Sequence, residues 1–320
     1  MKEFELIRQI QQETSVSSSD SDSGVRLGIG DDAAVLEVAV GQHLVAATDT
    51  LNAGTHFPDD TAPFDIGYKC LAVNLSDLAS MGAIPRWALL SLSLPKADPE
   101  WVRSFTAGFM SLAREHGVAL VGGDTTSGPL SVSLTALGEI EPGRQLQRNG
   151  ACPGDLLVVS GNIGGAARVL EILQAGRLNV ERTLLDRPQP RLALGRALVG
   201  FASACIDVSD GLLADLGHVL EASGYGARVE VGKLPGAVEL AKLGDESKWN
   251  YQLSGGDDYE LLFTLPGHHQ AMVSTWSEQL DLKISIIGAI EHDQGLRCVR
   301  PDGKAFQPRD TGFEHFRRKV

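Results

Sequence analysis

The chain has 320 residues, too many for one ordinary hydrophobic core, and so implies two domains. Its 43% hydrophobic and 22% charged residues describe a globular protein rather than a disordered or fibrous one. A formal net charge of −13 excludes the basic footprint of non-specific nucleic-acid binding and opposes docking on anionic lipid, so an anionic substrate would need cations to reverse the local sign.

The acidic N-terminal stretch lacks a basic region followed by an apolar one, so no signal peptide is expected. No apolar run approaches membrane-spanning length. Cys70, Cys152, Cys205 and Cys298 are scattered and form no CxxC, which fits reduced thiols in a cytoplasmic protein. Glu3–Gln12 can form a short helix, and Ser15–Gly24, rich in Ser, Asp and Gly, is expected as a loop. Gly28-Ile29-Gly30-Asp31-Asp32-Ala33-Ala34-Val35-Leu36 follows. Its adjacent aspartates repel each other, and such a pair is either solvated in a turn or bridged by a divalent cation.

His43–Thr48 reads as a strand that delivers Asp49 at its end. Pro63–Met81 is expected as a long helix, with Ile66, Cys70, Val73 and Met81 at helical spacing and Asn74 and Asp77 sharing a face. Pro99–Glu115 reads as a second helix and Val118–Val121 as a short strand. That strand runs into Gly122-Gly123-Asp124-Thr125-Thr126, expected as a polar loop at a strand's carboxyl end, where α/β proteins bind ligands. Leu130–Leu137 alternates apolar and hydroxyl residues, the pattern of a half-buried strand. The Gly-rich Gly138–Gly154 stretch, with Pro142 and Pro153, separates an expected domain over 1–140 from one over 150–320.

In the second half Leu156–Val159 reads as a strand, and Ser160-Gly161-Asn162-Ile163-Gly164-Gly165 opens a helix. Pro188–Ser203 is expected as another helix, and Asp207-Val208-Ser209-Asp210-Gly211 opens a third that carries Asp215. Tyr259–Leu265, Lys283–Ile290 and Leu296–Arg300 read as strands.

Gly28-x-Gly30-x-x-Ala33 meets the loose dinucleotide pattern, but Asp31 and Asp32 would put negative charge where a pyrophosphate needs backbone N–H groups. GxxxxGKS/T, GxSxG and the protein-kinase HRD/DFG set are absent. The eight histidines are dispersed: His56 reads as a turn residue seven positions after Asp49, and Asp215 as a solvated charge on its helix. What remains is an oxygen-rich set of aspartates with hydroxyls at Thr48, Thr125 and Ser209. Hard oxygens suit Mg²⁺ bound together with substrate phosphates, which points to nucleotide chemistry without a P-loop.

The segments GIGDDAAV, TDTLxAGxHF, YKxLAVNLSDLAxMGAxP, GGDTT, RPxPR (Arg187–Arg191), DxSDGLxxDL and SGGxDYEL run in this order over about residues 4 to 316. Together they resemble the thiamine-monophosphate kinase family, part of an ATP-binding superfamily with aminoimidazole-ribonucleotide synthetase and selenophosphate synthetase. The resemblance implies an α/β fold of α+β type in two domains, the N-terminal one binding ATP and Mg²⁺ and forming a homodimer. It also implies ATP-dependent phosphorylation of thiamine monophosphate to thiamine diphosphate. Carried over position by position, Asp32, Thr48, Asp49, Asp77, Asp124, Asp207 and Asp210 would hold several Mg²⁺ ions. Gly123, Asp124, Arg148 and Ser209 would contact ATP, and His56, Asp257 and Phe313 would contact thiamine phosphate.

The chain departs from the family pattern at Ser127, where Arg is frequent, and at Asp257, which replaces a common Glu. It also departs at Ala47, where a hydroxyl residue is frequent, and at Phe313, which lacks the tyrosine hydroxyl of some relatives. The first cysteine is Cys70, inside an expected helix, which argues against selenophosphate synthetase. Another ATP-dependent synthetase of the superfamily, or a non-catalytic nucleotide or metal sensor, stands as the alternative.

Overall fold

The computed structural model describes residues 3–14, 23–177 and 179–314, so most of the expected Ser15–Gly24 loop lies outside the described residues. The chain divides into two compact units. One runs to Leu78 and resumes over Ala83–Gly143; the other takes Ala79–Gly82 and the chain from Arg144. Among the described residues no helix is long and apolar enough to cross a membrane. Cys70, Cys152, Cys205 and Cys298 are all free thiols, with Cys152 exposed.

The N-terminal unit contains α1 (Glu3–Thr14), β1 (Val25–Leu27), β2 (Val35–Leu36), β3 (His43–Asn52), α2 (Pro63–Ser80), β4 (Ile84–Leu94), α3 (Pro99–His116), β5 (Ala119–Ser127) and β6 (Ser131–Ile140). Its main sheet has the order β3-β6-β4-β5, antiparallel except for β4 and β5, which run parallel because α3 crosses between them. On β6, Val132, Leu134 and Ala136 are buried while Ser131, Ser133 and Thr135 alternate with them, as period-two patterning requires.

Two expectations for this unit change, and one strand is added. The strand expected over His43–Thr48 runs to Asn52, paired residue by residue with β6, so Asp49 lies inside it. Gly122–Thr126 is not a loop but the continuation of β5 alongside β4. Ile84–Leu94, not read as a strand, is a central one. Its Pro85 sits at a register shift, where the missing N–H costs the ladder nothing.

Helices α2 and α3 approach through bare backbone. A Cβ on Gly67 would lie 2.0 Å from the Phe105 carbonyl oxygen, and one on Gly108 would lie 1.8 Å from that of Phe64. This reciprocal contact seats α2 deep in the unit, with Cys70, Leu71, Leu75 and Leu78 fully buried. It also sets the depth of Asp77, one helical face along.

The C-terminal unit contains β7 (Leu156–Ser160), α4 (Gly165–Gln174), α5 (Thr183–Asp186), α6 (Leu192–Leu198), β8 (Ala204–Asp207), α7 (Leu212–Ser223) and β9 (Gly226–Glu230). It continues with α8 (Asp245–Ser254), β10 (Leu261–Leu265), α9 (Ala271–Gln279), β11 (Ile284–Glu291), β12 (Gly295–Val299) and β13 (Ala305–Phe306). The sheet order is β13-β12-β9-β11-β7-β10-β8, with β9 and β12 the parallel pair. The strands expected near 156, 283 and 296 are present; β9, α8 and α9 went unread.

The helix expected over Pro188–Ser203 is only α6. Residues preceding proline avoid helical backbone, so helix begins only beyond Pro190. The strand expected from Tyr259 starts at Leu261, because Asp257 and Tyr259 have φ of 70° and 50°, outside any strand conformation.

Gly108→Ala is expected to destabilise the protein by about 2 kcal/mol or more, since a new methyl must push two helices apart. Thermal denaturation checks this, and an unchanged melting temperature would show that the helices do not meet this closely.

Candidate functional site

In the N-terminal unit the alternation of β3 decides where candidate side chains go. Asp49 shares the face of buried Leu51, while Thr48 and Thr50 take the other. On that inner face Asp49 meets Asp77 of α2, and their carboxyl groups share a hydrogen bond. Burial lifts the Asp49 pKa above its ordinary value, against the pull of nearby His56 and of the Asp77 bond. His56 sits in the turn leaving β3. Its Nδ1 accepts the Asn52 N–H at 3.0 Å, and its carbonyl accepts Nζ of the buried Lys69 at 3.2 Å. Asp49, His56 and Asp77 therefore gather.

Thr48 does not join them. Its hydroxyl donates to the Leu134 carbonyl at 2.9 Å and accepts from Thr135 at 3.1 Å, on the outer face. Asp124 pairs with Ser91, Ser91 with Ser133 and Ser133 with Thr50, and residues paired laterally share a face. Asp124 thus stands on the outer face, and β5 is the sheet edge opposite β3, three strand spacings or about 14 Å away. Beside it Gly123, at φ +147°, admits no side chain: a Cβ would lie 1.8 Å from the Leu90 carbonyl oxygen. Asp32 occupies an exposed bend between β1 and β2, where its N–H donates to Asp31 Oδ1 at 2.8 Å. Gln11 Nε2 ties that bend to α1 through the Ile29 carbonyl at 2.7 Å.

The C-terminal unit gathers more of its candidates. Asp207 ends β8, buried and opposite Leu261 of β10. Beyond the strands the two segments stay zipped. Val208 N–H donates to the Glu260 carbonyl, Tyr259 N–H to that of Val208 and Asp257 N–H to that of Ser209, each at 2.8 Å. Phe313 N–H donates to the Asp210 carbonyl at 2.9 Å, which brings Phe313 to the same loop. Arg148 is exposed. The neighbouring Gln147 carbonyl accepts Cys205 N–H at 2.8 Å, which sets Arg148 towards the end of β8 away from Asp207.

Asp215 is buried, contrary to the solvated charge expected of it. Its Oδ2 accepts the N–H groups of Ser209, Asp210 and Gly211 at 3.0, 3.1 and 3.1 Å. Burial, with the charges of Asp207 and Asp210, pushes its pKa up to about 7. Its neighbours three before and four after, Leu212 and Val219, are both buried, and that apolar stripe was the sequence signal that it points inward.

Asp258 plays the same part at α4, accepting Gly164 N–H at 2.7 Å and a further bond from the Ala166 backbone. Burial lifts its pKa well above the carboxylate range against those bonds. An arriving phosphate would find the amides leading into α4 and α7 already committed to the chain's own carboxylates. At these two loops the side chains offered to an anionic partner are carboxylates and hydroxyls, which attract phosphate through a cation.

Among the described residues no three His, Cys, Asp or Glu side chains stand close enough to hold a metal ion by themselves. Mg²⁺ ordinarily takes one or two carboxylates and completes its shell with waters and substrate phosphate oxygens. The half-buried Asp49–Asp77 pair, two hard-oxygen groups side by side, fits that mode.

Residues 30–140 match the family model described as AIR synthase related protein, N-terminal domain, and residues 152–300 match its C-terminal counterpart. The fold class is thus that of the paired AIR-synthase-related domains. The chain is 44% identical to the thiamine-monophosphate kinase of Salmonella typhimurium over 98% of both sequences. It is 46% identical to the crystal structure of thiamine-monophosphate kinase from Stenotrophomonas maltophilia, with TM-score 0.86 over 96% of this chain and 98% of that one. The structure "AaThiL complexed with AMPPCP and TMP" is 31% identical, with TM-score 0.75 over 98% and 96% of the two chains. The chain belongs to the thiamine-monophosphate kinase family of enzymes.

Asp215→Ala strips the acceptor from three amides and is expected to cost about 2–4 kcal/mol of stability. Asp215→Asn keeps an oxygen in place and is expected to melt within a few degrees of wild type. If thermal denaturation finds the alanine variant as stable as wild type, Asp215 does not hold this loop.

Proposed function

We propose that the protein transfers the γ-phosphoryl group of ATP to the phosphate of thiamine monophosphate, giving thiamine diphosphate and ADP. One observation carries the metal-dependent form of this reading. The amides of Gly164 and Ala166 at α4, and of Ser209, Asp210 and Gly211 at α7, are taken by Asp258 and Asp215, so at these positions a phosphate would meet carboxylate rather than N–H. A relative complexed with AMPPCP and TMP supports both substrates.

In the N-terminal unit Asp32, Thr48, Asp49, Asp77 and Asp124 are the proposed Mg²⁺ ligands, and in the C-terminal unit Asp207 and Asp210. Gly123, Asp124, Arg148 and Ser209 are proposed for ATP; His56, Asp257 and Phe313 for thiamine monophosphate. When bound, Mg²⁺ supplies the positive charge that offsets repulsion between the two phosphates and stabilises the charge developing during transfer. The acceptor needs no general base. A phosphate monoester has its second pKa near 6, so at neutral pH its oxygen attacks the γ-phosphorus already deprotonated while the bond to the β-phosphate oxygen breaks. The residues of this chain therefore have to orient and desolvate two anions rather than move a proton. A cytoplasmic setting is part of the proposal, supported by the four free thiols.

Incubation with ATP, Mg²⁺ and thiamine monophosphate, followed by chromatography, is expected to show thiamine diphosphate. Unphosphorylated thiamine is expected to stay unconverted, and equal turnover of thiamine would overturn the mechanism. Asp124→Asn is expected to fold normally in chelator yet lose on the order of 10²-fold in turnover.

The same reading includes a homodimer built on the N-terminal units. The outer sheet face leaves Leu44, Ile84 and Leu89 exposed at 51, 37 and 36%. It also carries Asp124 and Thr48, which one sheet cannot bring to Asp49; a second copy covering that face would bury the apolar residues. Light scattering at micromolar concentration is expected to give twice the 34.1 kDa chain mass, and a monomer mass would count against it.

A further inference from the structure

The Arg187-Pro188-Gln189-Pro190-Arg191 segment has no part in the chemistry proposed above, yet its last residue reaches a buried charge. Arg191 forks onto Glu260, with Nε 2.7 Å from Oε2 and Nη2 2.5 Å from Oε1. The Glu260 side chain is only 6% exposed. Ser160 Oγ donates to the same Oε2 at 2.5 Å and itself accepts the Leu261 N–H at 2.9 Å. The carboxylate lies flat against backbone at Gly161, where a Cβ would fall 1.8 Å from Oε1. Every part of this arrangement fixes Glu260.

What Glu260 fixes in turn is the segment before it. Asp257 at φ 70° and Tyr259 at φ 50° hold a conformation that costs a bulky L-residue energy and persists only where the surroundings impose it. Two clamps hold it: Asp258, within the segment, on the Gly164 amide, and Glu260, just after it, on Arg191. The three 2.8 Å bonds already described zip the same stretch to Val208 and Ser209.

We infer that Arg191 is a positioning residue: acting through Glu260, it holds the strained Asp257–Tyr259 segment in register with Val208–Ser209. This fixes where Asp257, proposed for thiamine monophosphate, stands relative to Ser209, proposed for ATP. The inference rests on the proposed function for its kinetic consequence alone. Lysine cannot replace arginine here, since an ammonium has one charge point where the carboxylate meets a two-pronged planar fork.

The test compares Arg191→Lys with wild type in the full-length protein. In the free protein, amide hydrogen exchange at Val208, Asp257 and Tyr259 is expected to quicken about tenfold or more, with β7 and β11 unchanged; that is the scale of losing one charge-assisted bond. The KM for thiamine monophosphate is expected to rise about tenfold, well beyond any change in the KM for ATP. In an Asp257→Asn background the same substitution is expected to add little to that KM, because the group it positions is already gone.

Unchanged exchange at the three amides, or exchange raised evenly across β7, β8, β10 and β11, would overturn the clamp. Local loosening with an unmoved KM for thiamine monophosphate would overturn the positioning role. Should Arg191→Lys fail to fold, Glu260→Gln, which keeps the shape and removes the charge, is read by the same measurements. A wild-type protein that does not turn over thiamine monophosphate would sink the proposed function, while the exchange result still decides whether Arg191 holds the segment.

Discussion

The C-terminal unit depends on carboxylates placed where a nucleotide-binding fold ordinarily leaves room for phosphate. Asp215 and Asp258 satisfy the amides leading into α7 and α4 from inside the chain. A buried carboxylate that accepts several N–H bonds is stabilised by them, and a terminus so filled gains its capping energy without a ligand. The cost shows in the other direction: both groups are pushed towards the neutral form, chiefly by burial. The fold keeps them because they shape the loops that carry Ser209, Asp210 and Asp257.

Those loops form one ladder rather than two independent turns. β8 and β10 pair up to Asp207 and Leu261, and the zip continues through Val208, Ser209, Tyr259 and Asp257 after regular strand geometry has ended. Left-handed backbone at Asp257 and Tyr259 lets the chain leave the sheet plane while keeping its amides paired. Side chains on such a ladder share one rigid frame, and phosphoryl transfer needs that, because its barrier is lowered by alignment and by charges already in position.

Much of this was legible in the sequence, and the gaps have physical causes. Period-two alternation identified β6, and helical spacing with a leading proline identified α2, because each buries one regular face. β4 carries a period-two run at Leu90-Ser91-Leu92-Ser93-Leu94, but register shifts at Pro85/Trp87 and Ala88/Leu89 break that period in its first half, and Pro85 argues against a strand until the shift accommodates it. Gly122-Gly123-Asp124 looked like a loop by composition. The glycines are there because β5 runs too close to β4 for a side chain at 123. The motif residues themselves stood out, but their partners did not: Asp215, Asp258, Glu260 and Arg191 act through tertiary contacts that no local pattern encodes. Only the apolar neighbours of Asp215 gave a hint.

The N-terminal sheet adds a constraint that motif order conceals. Thr48 and Asp49 are adjacent in sequence and point to opposite faces, and Asp124 lies on the far edge from Asp49. Carboxylates about 14 Å apart across water lie beyond the screening length of about 8–10 Å at physiological salt, so they hardly repel one another. Crowded within 4 Å of each other they would cost on the order of 1 kcal/mol per pair in water and several times more when half-buried. Where two do meet, at Asp49 and Asp77, they share a hydrogen bond that eases the contact, and it is burial that raises the Asp49 pKa. Dispersal thus lets a chain of net charge −13 fold without cations in place. On the proposed Mg²⁺-dependent reading, phosphate oxygens would complete each cation's shell, so metal affinity and substrate affinity would rise together.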